Sequence, residues 1–137
     1  MLAFIDTSTL VKKYIEEQGS NQLLKILDQI QEIVVAPIYM IEFHSALVQK
    51  YSAKQLSQQQ MDWLLNEARQ DLRYFVSVKW NDELEQQACR LISAHNLKSL
   101  DALQLGSAVL ARPEIFLTSD KRLYAASKKE LKTVRFV

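Results

Sequence analysis

The chain has 137 residues, 48% hydrophobic and 24% charged, which suits one domain, residues 1–137, around a single sizeable core. No apolar run reaches the roughly 18 residues of a membrane span. Met1 leads directly into an apolar strand, so no signal peptide is expected, and the lone cysteine, Cys89, allows no internal disulfide and fits a reducing cytoplasm.

The first nine residues, M-L-A-F-I-D-T-S-T, hold a short apolar run, Leu2 to Ile5, that stops at one carboxylate, Asp6. A helical periodicity then begins at Ser8 and ends near Gly19. A buried strand that stops at an acid and turns into a helix N-terminus puts that acid at the carboxyl edge of a sheet, where open α/β sheets place their ligand sites. Ser20 or Asn21 can cap a second helix with its stripe at Leu23, Leu24, Ile26, Leu27 and Ile30. Ile33 to Val35 reads as a second buried strand.

Pro37 suits the first turn of a helix. The helix from Ile38 to about Ser52 is apolar nearly all round and is therefore expected to be buried. It carries one acid, Glu42, beside Ile38, Ser45, Ala46 and Gln49. A buried charge needs a partner, which is either a functional site or a salt bridge to a lysine. Ser57 opens a helix to Leu72, and Phe75 to Val78 is a third short strand. From Asn81 or Asp82 a helix runs to about His95, with Cys89 expected as a small core residue beside its stripe.

In Lys98 to Arg112, K-S-L-D-A-L-Q-L-G-S-A-V-L-A-R, Ser99 is a plausible N-cap, which puts Asp101 at the second helical position, where the helix dipole favours negative charge. Ile115 to Leu117 is a fourth strand, followed by Thr118-Ser119-Asp120 and a helix from Lys121 to Glu130. This repeats the opening order of apolar strand, hydroxyls, acid and helix, although Asp120 also makes a good N-cap. Thr133 to Val137 is a last strand. The net charge of +1 hides a basic C-terminal stretch, in which Lys121, Arg122, Lys128, Lys129, Lys132 and Arg135 face Glu130 alone. That stretch is either a solvated face or a contact for an anionic polymer.

Strands alternating with helices predict a three-layer α/β/α domain with a four- to five-stranded parallel sheet. Asp6, Glu42, Asp101 and Asp120 then converge on one sheet edge from separate elements. Clustered carboxylates repel, and a hard divalent cation with oxygen ligands relieves that repulsion. His and Cys do not cluster, which argues against zinc. His44 lies about 200° round its helix from Glu42 and faces away from such a site. A carboxylate-held Mg²⁺ in a small domain suits phosphodiester hydrolysis.

These residues resemble those of PIN-domain ribonucleases, and among them the VapC toxins of bacterial toxin–antitoxin pairs. The resemblance is carried by Asp6-Thr7-Ser8 after the first strand, Glu42 in the third helix, Leu100-Asp101-Ala102, and Thr118-Ser119-Asp120, in the family's order along the whole chain. It implies Asp6, Glu42, Asp101 and Asp120 as the catalytic, Mg²⁺- or Mn²⁺-binding set, with Ser8 and Thr118 as supporting polar groups. It further implies an RNA substrate, a cognate VapB-like antitoxin and a homodimer. An amphipathic antitoxin helix is expected to lie in a groove formed by the Ile38–Ser52 and Ser57–Leu72 helices. Lys121, Arg122, Lys128 and Lys129, next to the fourth acid, are the expected RNA-binding residues. A PIN-like binding module without toxin activity is the alternative. Response-regulator and haloacid-dehalogenase patterns fit less well, because Asp6 has no paired acid and position 8 is serine.

Overall fold

The computed structural model describes all residues, 1–137. Five parallel strands form one sheet in the order β3-β2-β1-β4-β5: β1 Leu2–Ile5, β2 Glu32–Val35, β3 Val76–Ser77, β4 Ile115–Thr118 and β5 Val134–Phe136. The helices are α1 Thr7–Leu10, continued by a 3-10 turn at Val11–Lys13, then α2 Ser20–Leu27, α3 Tyr39–Ser52, α4 Gln58–Leu72, α5 Asp82–His95, α6 Ser99–Ala111 and α7 Lys121–Glu130.

Alternation along the central strands explains the three layers. In β1, Ala3 and Ile5 face a core shared with Leu10, Leu23, Phe43, Leu47, Met61 and Leu64, so α1 to α4 cover that side. Phe4 faces the other way, into a core with Leu91, Ala102, Leu105, Phe116 and Leu123, so α5, α6 and α7 cover the second side. Phe4 stacks on Phe116 of β4 at 5.6 Å between ring centroids. Both faces of the sheet are dry, which is why its central strands read as apolar runs rather than alternating ones.

α5 and α6 pack closely at Gly106, with just enough room there for a Cβ at ordinary contact distance. A Cβ there would stand 3.4 Å from the Ala88 backbone nitrogen and 3.5 Å from Leu84 Cδ1. Asn96, in the left-handed region at φ 53°, ends α5 and starts the short connection to α6. An asparagine tolerates that conformation better than most residues.

Several local expectations are corrected. The first helix starts at Thr7 with Asp6 as its N-cap, and loses regular form at Lys13, well before Gly19. Gly19, at φ 95°, precedes α2, while the Ser20 hydroxyl turns back to accept from Glu17 N and donate to Ile15 O. α3 is not buried all round: Ile41 is 73% exposed, and Val48 and Tyr51 are exposed too. Cys89 is exposed rather than in the core, because the inward face of α5 is formed by Leu84, Ala88 and Leu91, with Ile92 partly buried at its border. Lys98, with no side-chain cap bond, precedes α6, so Ser99 is its first helical residue and Asp101 its third.

Candidate active site

The strand-to-helix turns after β1 and β4 build the centre of the site. Asp6 directly follows β1, and its backbone N–H extends the ladder by donating to Leu117 O at 3.1 Å. Its carboxylate is only 2% exposed. Oδ1 accepts from Thr9 N at 3.0 Å and from Ser8 Oγ at 2.9 Å, and Oδ2 accepts from Thr118 Oγ1 at 2.6 Å. Ser8 and Thr118, the expected supporting groups, therefore both hold Asp6. Burial pushes the Asp6 carboxyl above its ordinary range, and the hydrogen bonds from Thr118, Thr9 and Ser8 oppose that rise.

Glu42 sits in the first turn of α3, half-buried, without a lysine partner. Its Oε1 accepts from Gln104 Nε2 at 2.5 Å and from Thr7 Oγ1 at 3.1 Å, and Gln104 Nε2 also donates to Thr7 Oγ1 at 2.9 Å. Burial raises the Glu42 carboxyl, these two donors lower it, and the charges of Asp6 and Asp101 raise it further. Asp101, in the first turn of α6, is raised by burial and then by the charge of Asp120, with Lys98 and Arg122 pulling the other way. Asp120 caps α7 by accepting from Leu123 N at 2.8 Å, and its own N–H donates to Thr118 Oγ1 at 3.1 Å.

Each of the four acids is thus within electrostatic reach of another: Asp6 with Glu42, Glu42 with Asp101, Asp101 with Asp120. None of them joins a salt bridge; the pairs present use Asp71, Glu17 and Glu130. Oxygen donors, mutual repulsion and the lack of a salt bridge to any of the four, with only Lys98 and Arg122 acting on Asp101 from a distance, fit a hard divalent cation in kind. The side chains as they stand form no group of three acids, histidines or cysteines tight enough to hold one.

Gln104 of α6 is a site residue that the sequence pattern does not single out. It is 3% exposed, both hydrogens of its amide are used at the site, and its Oε1 is buried without a partner. The available signal was an amide between Leu103 and Leu105 in an otherwise apolar helix segment. The histidines lie elsewhere. His44 is exposed, and His95 Nε2 bonds Glu130 Oε1 at 2.7 Å.

The four expected RNA-binding bases separate. Arg122 and Lys129 line a groove of about 460 Å³ with Asp101 and Lys98. Lys128 lies over the Tyr124 ring at 4.4 Å, and Lys121 lines a different cavity, with Gly19 and Phe136. α3 and α4, expected to form a partner groove between them, share one core through Phe43, Leu47, Met61 and Leu64. The open apolar cavity of α3, about 350 Å³, lies on another flank, bounded by Ile41, Glu42, Val11 and Leu100.

Comparison with known proteins agrees with this architecture. No curated protein matches the chain. Among solved structures, the toxin–antitoxin complex from Klebsiella pneumoniae is similar at 20% identity and TM-score 0.66, covering 90% of each chain. VapBC2 from Rickettsia felis, bound to a DNA fragment from its promoter, is similar at 12% identity and TM-score 0.70, covering 100% of this chain and 99% of that one. VapBC-1 from nontypeable Haemophilus influenzae has 10% identity and TM-score 0.71, covering 99% and 98%. At such identities the likeness is one of fold. The PIN-domain family model matches residues 3–129, and the chain belongs to the PIN-domain family.

Proposed function

We propose that this protein is a metal-dependent endoribonuclease acting as the toxin of a VapBC-type pair in the cytoplasm, in one PIN domain over residues 1–137. Asp6, Glu42, Asp101 and Asp120 are its catalytic, metal-binding set, and Mg²⁺ or Mn²⁺ is its cofactor. The observation that carries this reading is the electrostatic coupling of four carboxylates from four elements, with no salt bridge to any of them.

Bound among these acids, a divalent cation supplies activation of water and stabilisation of charge at the phosphate. The chain's own contribution is positioning. Thr9 N, Ser8 and Thr118 fix the Asp6 carboxylate in one orientation. Gln104 and Thr7 fix Glu42 from one side and leave Glu42 Oε2 free of protein donors. Asp120 is held by its role as the cap of α7. Hydrogen bonds thus orient three of the four acids, Asp6, Glu42 and Asp120, which favours preorganised stabilisation of developing charge.

The neighbours described as toxin–antitoxin complexes support a protein antitoxin as partner. Its apolar anchors would enter the cavity beside Ile41 and Leu100, and a basic side chain, Arg by preference, would meet Glu42 through charge-assisted hydrogen bonds. A homodimer is part of the same proposal. No helix is long and apolar enough to cross a membrane.

The test is cleavage of single-stranded and looped RNA with Mg²⁺ or Mn²⁺ and with excess EDTA, beside co-expression with the neighbouring small gene. Metal-dependent cleavage, lost in Asp6→Asn, and rescue of growth by a co-purifying partner are expected. Full activity in EDTA would sink the mechanism. A chain that stays harmless and unbound beside that gene product would sink the toxin reading.

A further inference from the structure

We propose that the groove between the α5–α6 connection and α7 seats the RNA backbone on one side of the cleaved bond, with Lys98, Arg122 and Lys129 as its phosphate-binding residues. The proposal rests on the nuclease reading and gives the substrate a direction across the site.

The groove, about 460 Å³, has Asp101 in its wall, so it opens directly beside the acidic set. Arg122 and Lys129 are seven residues apart and therefore share one face of α7, about 10 Å apart along its axis. A stacked strand rises about 3.4 Å per nucleotide, so that face spans two to three of them. Lys98 comes from the opposite wall, just before α6.

The charges here are free to act. Lys98, Arg122 and Lys129 make no salt bridge and no side-chain hydrogen bond within the protein. Glu130, the nearby acid that could neutralise them, is already taken. Arg90 donates to both of its oxygens at 3.2 and 3.0 Å, and His95 holds Oε1 at 2.7 Å. That clamp ties α5 to α7 and leaves the groove with three cations against Asp101.

The other flank of the acids has the opposite character. Its cavity is lined by Ile41, Leu100 and Glu42 and contains no lysine or arginine. Lys50, in the adjoining cavity, is paired with Glu17 at 3.3 Å, so a polyanion leaving the acids on that side meets no free counter-charge and the backbone is directed toward α7. Lys121 and Lys128 lie outside this groove, one in a separate cavity and the other over Tyr124.

Binding of a fluorescent single-stranded RNA 12-mer to the Asp6→Asn protein in Mg²⁺, read by anisotropy, tests the groove without cleavage. Adding Arg122→Ala and Lys129→Ala should weaken binding at least tenfold and lower the salt slope by about 2. In the otherwise native enzyme the same pair should raise KM and leave kcat within about twofold. Lys25→Ala with Arg69→Ala, on exposed α2 and α4 positions, matches the change in net charge and should change binding less than twofold. Unchanged affinity in the groove variant, or an equal loss from Lys121→Glu with Lys128→Glu, would overturn the proposal. A native protein that cleaves no RNA would overturn the nuclease reading instead, and the anisotropy result would still decide whether the groove binds RNA.

Discussion

Thr118 Oγ1 donates to Asp6 Oδ2 at 2.6 Å, joining the ends of two adjacent strands that lie 112 residues apart in the chain. The same hydroxyl accepts from Asp120 N at 3.1 Å, so one fully buried threonine positions two of the acids. Thr118→Val should therefore leave a buried carboxylate short of a donor and cost about 1.5–3 kcal/mol in urea unfolding, as for a hydrogen bond to a charged group. Thr118→Ser keeps the hydroxyl and should recover most of that loss. Equal stability of the valine and serine variants would show that the bond contributes nothing.

Asp6→Asn keeps the shape of the side chain and an oxygen able to cap α1, since asparagine is as good an N-cap as aspartate. The fold should survive, because relief of a buried charge beside Glu42 offsets the loss of one oxygen that accepts from Thr118 or Thr9, and stability without metal should change little. Cleavage should be abolished. Mn²⁺ should raise the melting temperature of the native protein and leave that of the variant unchanged, since a ligand stabilises only the state that binds it. Thermal melts with and without EDTA check both halves.

Burial holds the Asp6, Glu42 and Asp101 carboxyls above their ordinary values of 3.8, 4.5 and 3.8. The folded protein thus binds their protons more tightly than the unfolded chain does. Stability linked to those protons is fully present below the ordinary values and is lost as pH rises through the folded ones. In EDTA, the melting temperature should fall over the interval above those ordinary values, as pH rises through the raised folded ones, and Glu42→Gln should flatten that slope. Glu130 acts in the other sense. The hydrogen bonds from Arg90 hold it below 4.5, so its contribution is present above that value and is lost as pH falls through its lowered folded pKa. A melting temperature in EDTA that rises steadily over the upper interval would contradict the assignment for the three site acids.

Gln104 is the prediction least visible in the sequence. Gln104→Leu removes the donor from both Glu42 Oε1 and Thr7 Oγ1 and leaves the carboxylate half-buried without its amide partner. A loss of about 1–3 kcal/mol is expected from the unsatisfied group. Cleavage should drop at least tenfold in kcat with KM little changed, because Gln104 positions Glu42 and is remote from the basic groove. Denaturant unfolding and steady-state kinetics separate the two effects. An unaltered kcat would return Gln104 to a purely structural role.

Much of the fold was legible in the residue order. Four-residue apolar runs ending in an acid or a turn, alternating with helical periodicity, specify parallel strands with helices on both faces. The boundaries of α5 and α7 could be read closely because Asn81 and Asp120 are strong local caps whose effect needs no distant partner. The four acids were legible for the same reason: each stands at a chain position, strand end or helix start, that local pattern defines.

What only the tertiary structure decided is which face of each element meets another. Apolar periodicity could not tell that Ile41 and Val48 lie outside while Phe43 and Leu47 lie inside, because that depends on where α4 and the sheet pack against α3. Cys89 is exposed for the same reason, one step of about 100° beyond the buried Ala88. The basic residues of α7 are one stretch in sequence, yet packing against α5 and α6 turns Arg122 and Lys129 toward Asp101 and Lys121 away. Gln104 meets Glu42 across 62 residues, a contact that no local preference encodes. Residue order carries the elements and the groups at their ends; the long-range packing of α3, α6 and α7 on the sheet sets which of those groups meet.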